Sequence, residues 1–376
     1  MAEDDDDLEA DEERADAAEA AVPAPRENSN LSGHEPAEKE LLSAFASGRL
    51  PHGLLITGAH GIGKATLAFR FARFLLSQSA EPSAGGLFGP AVPNSLTLPP
   101  EHPVFRRVAS SGHADLLTVE RGIDPKRKRE RTEIVVEDTR AIAAFLRLTP
   151  AEGGWRIVIV DTADEMNRNA ANAVLKILEE PPDRAILILV SDNPGRLLPT
   201  IRSRCRRVAL RPLSDTVVAE LIGRYRPDLS VSDRAALIEL AEGSIGHALE
   251  LAEQNGLRLH RQLIELLGTL PEINGAALHE FADTVARWGA DDAFRVIAEL
   301  MPATLARAIA RAARSGSAGE GREAALARLM ARRGLDRWVE VWEKIADLFA
   351  QADAVNLDRK QVVLNAFFAL EDQARR

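Results

Sequence analysis

Cysteine is nearly absent from this chain, since Cys205 is the only one among 376 residues. A single cysteine excludes any intramolecular disulfide and any zinc module built from several cysteines. We therefore expect no bound zinc. A reducing, cytoplasmic location fits this composition.

Long apolar runs and a basic N-terminus are also lacking. No run approaches the roughly 18 to 20 residues of a membrane span, and Asp4 to Asp7 stand where an export signal would be basic. Export and membrane insertion are therefore not expected. The net charge of −10 argues weakly against wholesale binding of nucleic acid. Residues 1–30 are predicted to be a disordered leader, because their acidic, alanine-rich sequence buries too little apolar surface to fold alone.

A phosphate-binding loop stands near the start of the folded part. The apolar run Leu54 to Ile56 leads into Gly58-Ala-His-Gly-Ile-Gly-Lys64 and then into a helical pattern. This matches G-x-x-x-x-G-K, in which backbone amides cradle phosphates and the lysine neutralises them. A glycine-rich turn that merely joins strand to helix is the alternative, which the coincidence of glycines, lysine and context disfavours. The residues predicted to contact nucleotide are Gly58, Gly61, Gly63, Lys64, Ala65, Thr66 and Asp161, and no separate metal site is predicted.

Strands alternate with helices up to Pro212. The unbroken apolar runs Ile157 to Val160 and Ile186 to Val190 are typical of strands covered on both faces, and Leu116 to Val119 indicates another strand. Ile134 to Val136 reads as extended and is followed by a helix. This alternation predicts an α/β fold with a parallel, doubly wound sheet.

The chain beyond Pro212 reads as amphipathic helices broken by glycine and proline. We predict four segments with different roles. They are the leader at 1–30, an α/β P-loop domain at 31–212, a small helical lid at 213–258 and an all-α C-terminal oligomerisation domain at 259–376.

Two positions of the predicted nucleotide site carry the wrong chemistry for hydrolysis. The residue after the P-loop lysine normally supplies a hydroxyl to Mg²⁺, and here it is Ala65. Thr66 is one position too far, because a helix turns about 100° per residue. Asp161 ends its strand in a position to hold Mg²⁺ through water, but Thr162 replaces the glutamate that would polarise the attacking water. We expect that the loop can still hold ATP or ADP passively, with a weakened magnesium position and little hydrolysis.

Ser203-Arg204-Cys205 follows the last predicted strand, and here the chain resembles the clamp-loader branch of the AAA+ ATPases. In that branch a Ser-Arg-Cys motif supplies an arginine to the ATP of the adjacent subunit, so the resemblance implies that Arg204 acts in trans, within a motif completed by Ser203 and Cys205. The alternative is a solvated basic rim of Arg202, Arg204, Arg206 and Arg207. The position after a strand of a nucleotide-binding fold favours the arginine finger.

Other motifs extend and limit this resemblance. Asn172 to Pro182 is similar to a helix and turn shared by bacterial clamp-loader subunits. Motor subunits of the branch carry a lid arginine in Gly-Ser-x-Arg, whereas Gly243-Ser-Ile-Gly246 ends in glycine here. The four-cysteine zinc module of many relatives is replaced by proline-rich sequence. Within the branch, the chain therefore resembles the subunit class that keeps Ser-Arg-Cys and is a poor or inactive ATPase.

The resemblance also implies an assembly. The fold would be an AAA+ P-loop core with a helical lid and a C-terminal collar, in a pentameric clamp loader of the DNA polymerase III holoenzyme. Its partners would be the gamma/tau ATPase subunits and the delta subunit, and through the complex the sliding clamp and primed DNA. The chain would help to load the clamp without synthesising DNA.

Alternative functions remain open at this stage. An active ATPase motor is disfavoured by Ala65, Thr162 and Gly246, and a purely structural scaffold would leave Arg204 unused. A small-molecule kinase is a weaker third alternative, because the helical C-terminal half offers no evident substrate site.

Three further features each have a structural interpretation as well as a functional one. The basic segment Lys126 to Arg131 could contact DNA phosphates, although a solvated hairpin tip is slightly preferred. His60 is read as a variable loop position rather than a nucleotide contact. Trp288, Trp338 and Trp342 are expected to pack in a core or a collar.

Overall fold

The computed structural model describes residues 22–78, 94–123, 131–152, 154–287, 291–314, 321–354 and 357–375. Most of the predicted leader, the basic segment except Arg131, and Trp288 lie outside these residues. By contact density the chain divides into two compact units, residues 1–247 and residues 248–376. The four predicted segments remain a prediction beside this division.

A five-stranded parallel sheet forms the centre of the first unit. Its strands are β1 Gly53–Thr57, β2 Leu116–Val119, β3 Arg156–Val160, β4 Ala185–Ser191 and β5 Arg206–Ala209. Their order is β2-β3-β4-β1-β5, and every neighbouring pair is parallel. Every residue of β1, β3 and β4 is buried, as their unbroken apolar sequences predict. The order sets β4 between the P-loop strand β1 and the strand β3 that ends before Asp161.

Helices cover both faces of this sheet. The helices of the first unit are α1 Glu35–Ala46, α2 Lys64–Ser77, α3 Pro103–Ala109, α4 Val136–Leu146, α5 Arg168–Glu179, α6 Pro199–Arg202, α7 Asp215–Tyr225 and α8 Val231–Ala241, while α9 Ile245–Glu253 crosses the division between the units. One apolar cluster joins α2 to Leu54, Ile56 and Ile159 on one face. The opposite cluster joins α4 and α5 to Leu55 and Val158. Alternate residues of the central strands thus bury on opposite faces, as the pleat requires.

Local sequence sets the ends of the helices that carry the candidate site. Helix α2 starts directly after Gly63, whose φ of 102° is in the left-handed region that glycine adopts readily. Helix α5 starts at an Asn167 side chain that accepts a hydrogen bond from the amide of Ala170 at 3.0 Å. It ends at Glu179, two residues before the first of two prolines.

The second unit is helical. Its helices are α10 Gly256–Leu267, α11 Gly275–Ala286, α12 Asp291–Ala313, α13 Arg322–Arg333, α14 Leu335–Ala354 and α15 Arg359–Arg375. Trp338 is buried, and the Trp342 indole donates a hydrogen bond to the Pro302 carbonyl at 2.9 Å, so both pack within this unit as expected. Along the described chain no strand follows Ala209, and no helix there is long and apolar enough to cross a membrane.

Two local predictions need correction. Val136 was expected to be extended, but it begins α4, and only Ile134 forms an isolated bridge, to Met166. Strand β5 was not predicted at all. Its sequence Arg206-Arg-Val-Ala buries only Val208, so it has no apolar run to reveal it.

Candidate nucleotide site and arginine motif

The P-loop joins β1 to α2 and turns on glycine. Gly61 has φ 71° and Gly63 has φ 102°, both strained for residues with a side chain. The buried His34 ring nitrogen Nε2 lies 2.6 Å from the Ile62 carbonyl and fixes the loop from the N-terminal side. The predicted cradle residues Gly58, Gly61 and Gly63 are therefore brought together at the start of α2.

The P-loop lysine is engaged with a carboxylate from the neighbouring strand. The Lys64 side chain is only 4% exposed, and its Nζ lies 2.6 Å from Oδ1 of Asp192, which follows β4. The same amino group donates a hydrogen bond to the carbonyl of Ala59. His60 Nδ1 lies 2.9 Å from the other oxygen, Oδ2. Burial alone would raise the pKa of Asp192, but hydrogen bonds from His60 and Lys64 outweigh it and hold this pKa below its ordinary value.

Asp192 is held in this place by a second acid. The carboxylate of Asp164 accepts hydrogen bonds from the backbone amides of Asp192 and Asn193, both at 3.1 Å. Asp164 lies in a short 3-10 helix after β3, and its neighbour Glu165 pairs with Arg121 at 3.2 Å. Both acids therefore have structural partners.

The residues expected to hold magnesium are only partly brought together. Ala65 is half-buried and offers no side-chain oxygen, while the side chain of Thr66 is buried one position further along α2. Burial is the main cause that raises the pKa of Asp161, and the charges of Glu120 and Asp192 raise it further.

The end of β3 also differs from a hydrolytic site. Thr162 has φ 51°, its amide donates to the Asp161 carboxylate at 2.9 Å, and its hydroxyl donates to the Asp161 carbonyl. The Thr162 hydroxyl therefore donates its proton to the backbone of the preceding residue. Among the described residues no group of His, Cys, Asp and Glu is placed to hold a metal ion.

The start of α9 packs directly on the P-loop. The Ser244 hydroxyl donates to the His60 carbonyl at 2.6 Å, and the Gly246 amide donates to the Gly61 carbonyl at 2.9 Å. A Cβ added at Gly246 would lie 2.6 Å from the Cα of Gly61. Position 246, where the resemblance expects an arginine in motor subunits, thus has no room for any side chain in this arrangement.

The Ser-Arg-Cys motif lies between α6 and β5, with its arginine turned outward. The Arg204 side chain is 37% exposed, with Nη2 at 3.0 Å from Oε1 of Glu179 and Nη1 donating to the Thr200 carbonyl at 3.1 Å. Ser203 is exposed and donates to the same carbonyl. Cys205 points the other way, and burial raises the pKa of its thiol to about 12.

The other arginines of this segment do not form a uniform solvated rim. Arg206 pairs with Glu40 at 3.0 Å, and Nε of Arg207 donates to the Thr57 hydroxyl at 3.0 Å. Each side chain thus has its own partner on a different element, and Arg204 alone among these three is held by the end of α5.

Comparison with known proteins agrees with this architecture. A family model described as "DNA polymerase III, delta subunit" matches residues 33–214. The delta-prime subunit of Pseudomonas aeruginosa DNA polymerase III is 34% identical over 57% of this chain and 60% of its own length. The Escherichia coli delta-prime subunit is 30% identical over 66% of this chain and 71% of its own length. The chain belongs to the DNA polymerase III delta-prime family.

Two more distant similarities were also found. The tau subunit of Escherichia coli DNA polymerase III is 26% identical over 68% of this chain but only 38% of its own length. A gamma-subunit-related protein of Thermotoga maritima is 20% identical in structure comparison, which covers 90% of this chain and all of that one, with a TM-score of 0.44. Membership of the delta-prime family confirms the resemblance seen in the sequence, and the chain is a clamp-loader-family subunit.

Three residues of this site in the present chain were not predicted from its sequence. Asp192, Ser244 and Glu179 all contact predicted site residues, but each is far from its partner along the chain. The available signal for Asp192 was its place directly after a buried strand, because polar residues at the carboxyl ends of parallel strands meet at one edge of the sheet. Ser244 and Glu179 carried no such signal.

Proposed function

We propose that this chain is a non-hydrolysing delta-prime subunit of a clamp loader that uses Arg204 on the ATP of a neighbouring motor subunit. The observation that carries the proposal is the contrast between two cations. Lys64, the phosphate ligand of the chain's own P-loop, is buried in an ion pair with Asp192, whereas Arg204 is exposed at the surface.

The chain's own nucleotide site is unsuited to hydrolysis for several independent reasons. Ala65 cannot ligate Mg²⁺, and Thr162 cannot polarise a water as a carboxylate would. Gly246 stands where motor subunits carry the lid arginine. The remaining glycine cradle fits a phosphate, so the pocket is suited to passive binding of ATP or ADP once Lys64 leaves Asp192.

Arg204 is suited to act outside its own chain. A guanidinium that reaches the γ-phosphate across an interface neutralises charge that develops in phosphoryl transfer, and such a residue contributes about 10³- to 10⁵-fold in rate. Half-buried Cys205 packs against the apolar cluster of α4 and α5, while Arg204 faces outward. This division within three residues explains why the motif pairs a small apolar thiol with an arginine.

The wider role follows from the family. The C-terminal helices would form the oligomerisation collar with the gamma/tau and delta subunits, in the cytoplasm. The assembled complex would load the sliding clamp on primed DNA as an accessory part of the DNA polymerase III holoenzyme. No polymerase chemistry is assigned to this chain.

Replacing Arg204 with alanine tests this function in the reconstituted complex. We expect R204A to assemble normally but to lower hydrolysis at the adjoining ATP site by about 10³-fold or more, because the transition-state charge loses its partner. Rapid-quench measurement of the first turnover with clamp and primed DNA measures the effect at this site. R206A is the matched control, since it removes an exposed arginine two residues away that is paired with Glu40.

Two results would contradict the proposal. Unchanged turnover by R204A with full assembly would leave the chain as a structural scaffold. ATP turnover by the isolated wild-type chain, at a rate typical of the motor subunits, would instead make the chain a motor itself.

A further inference from the structure

Arg204 is not a free surface arginine, because two acceptors hold its guanidinium. One nitrogen lies 3.0 Å from the Glu179 carboxylate and the other donates to the Thr200 carbonyl at 3.1 Å. A guanidinium carries five N–H groups in one rigid plane. Two contacts therefore fix the plane and leave the remaining N–H groups for an incoming ligand.

Glu179 stands where an acid is unfavourable for its own helix. It is the last residue of α5, and the C-terminus of a helix carries partial negative charge that disfavours a carboxylate. The Glu179 side chain is 45% exposed, so burial does not require it either. Its contact with Arg204 offsets this unfavourable placement and is the one ion pair that the structure gives it.

We propose that Glu179 is a positioning residue for Arg204: it holds the guanidinium pre-aimed for the phosphate of a neighbouring subunit's ATP. This inference rests on the proposed function in trans, and it adds a second residue to that function. A long arginine side chain has many rotamers, and fixing two of its N–H groups before the subunits meet reduces the entropy lost when the phosphate is bound.

The proposed role predicts which kinetic constant will change. The finger stabilises charge that develops in the transition state, so loosening it lowers kcat while binding of ground-state ATP stays nearly the same. In the reconstituted clamp loader we expect E179A to lower kcat at the adjoining ATP site by about fivefold, the scale of a well-formed exposed ion pair, with the affinity of that site for ATP changed by less than about twofold.

Three variants separate positioning from a general loss of negative charge. E180A removes the adjacent exposed glutamate at the same helix end, and E40A removes the partner of Arg206 in a pair of the same 3.0 Å length. Both should leave kcat unchanged. E179Q keeps an oxygen acceptor for Arg204 and should recover most of the loss. In an R204A background, E179A should have no further effect, because the two residues act as one unit.

The outcomes also separate this inference from the proposed function. A large effect of R204A together with wild-type kcat for E179A would overturn the inference and leave the function intact. A rise in kcat for E179A would overturn it too, since Glu179 would then be withholding the finger. If E179A and E179Q both lowered the melting temperature of the chain or prevented assembly, the role of Glu179 would be structural.

Discussion

At the scale of single residues, the chain places two cations in opposite environments. Lys64 is buried against Asp192, and removing a buried ion-pair partner is costly because the other charge is left without solvent. Arg204 stays partly exposed in its contact with Glu179, which leaves other N–H groups of the guanidinium for a ligand. The first cation is therefore paired inside its own pocket, and the second lies at the surface.

Cys205 gives a test of the motif's orientation without any partner protein. Its pKa of about 12 lowers the thiolate fraction near pH 8 by roughly a thousandfold relative to an ordinary thiol, and only the thiolate reacts with iodoacetamide. We expect labelling of the native chain to be slower than labelling of the urea-unfolded chain by at least about a hundredfold.

Because Cys205 is the only cysteine, mass spectrometry reports this one site. Equal labelling rates in the native and unfolded chain would show that the thiol is not anchored in the sheet, and that the motif is not oriented as described.

At the scale of elements, contact between the P-loop and the start of α9 depends on glycine. The Gly246 amide bonds the Gly61 carbonyl, and neither glycine can gain a Cβ without moving the other segment. A lid that carried an arginine at position 246 would have to stand further from the P-loop. Gly246 therefore allows the start of α9 to contact the P-loop backbone directly, and it supplies no side chain that could reach a nucleotide.

G246A is expected to destabilise the first unit by about 1 to 3 kcal/mol, because its Cβ would overlap the Gly61 backbone. The matched control is G223A in α7, where an added Cβ would meet only the Arg234 side chain at an ordinary 3.8 Å. That control should gain about 0.5 to 1 kcal/mol from helix propensity. Urea unfolding monitored by circular dichroism measures both, and a G246A variant as stable as G223A would contradict the close contact.

The elements differ in how far the sequence reveals them. Strands β3 and β4 were predictable because burial on both faces demands unbroken apolar runs. Strand β5 was not predictable, because it is an edge strand with one buried residue and two arginines. These arginines donate hydrogen bonds to Glu40 and Thr57, which are distant in sequence and form no local pattern.

At the scale of the whole molecule, the same limit applies to the site. The P-loop, Asp161 and the Ser-Arg-Cys motif are local in sequence and were found from it. The Lys64–Asp192 pair, the Ser244 contact and the Glu179–Arg204 pair join residues that only the sheet order and chain topology bring together. Their pairing depends on tertiary structure. Composition and spacing could therefore indicate individual site residues but not the contacts between them.

Two regions of the first unit hold the pairs that define the site. At the P-loop, Asp192 and the residues at the start of α9 contact the loop. At the end of α5, Glu179 contacts Arg204, for which we propose a role in trans. The helical second unit would supply the assembly that brings a neighbour's ATP to it.

The most direct test is a rapid-quench count of ATP molecules hydrolysed per assembled complex in the first turnover after clamp and primed DNA are added. In the wild-type complex we expect the number of ATP molecules hydrolysed in this burst to equal the number of motor subunits. In the complex that contains R204A we expect one fewer. A wild-type burst that exceeds the number of motor subunits would show that this chain hydrolyses ATP itself. An unchanged burst with R204A would show that Arg204 does not act on its neighbour.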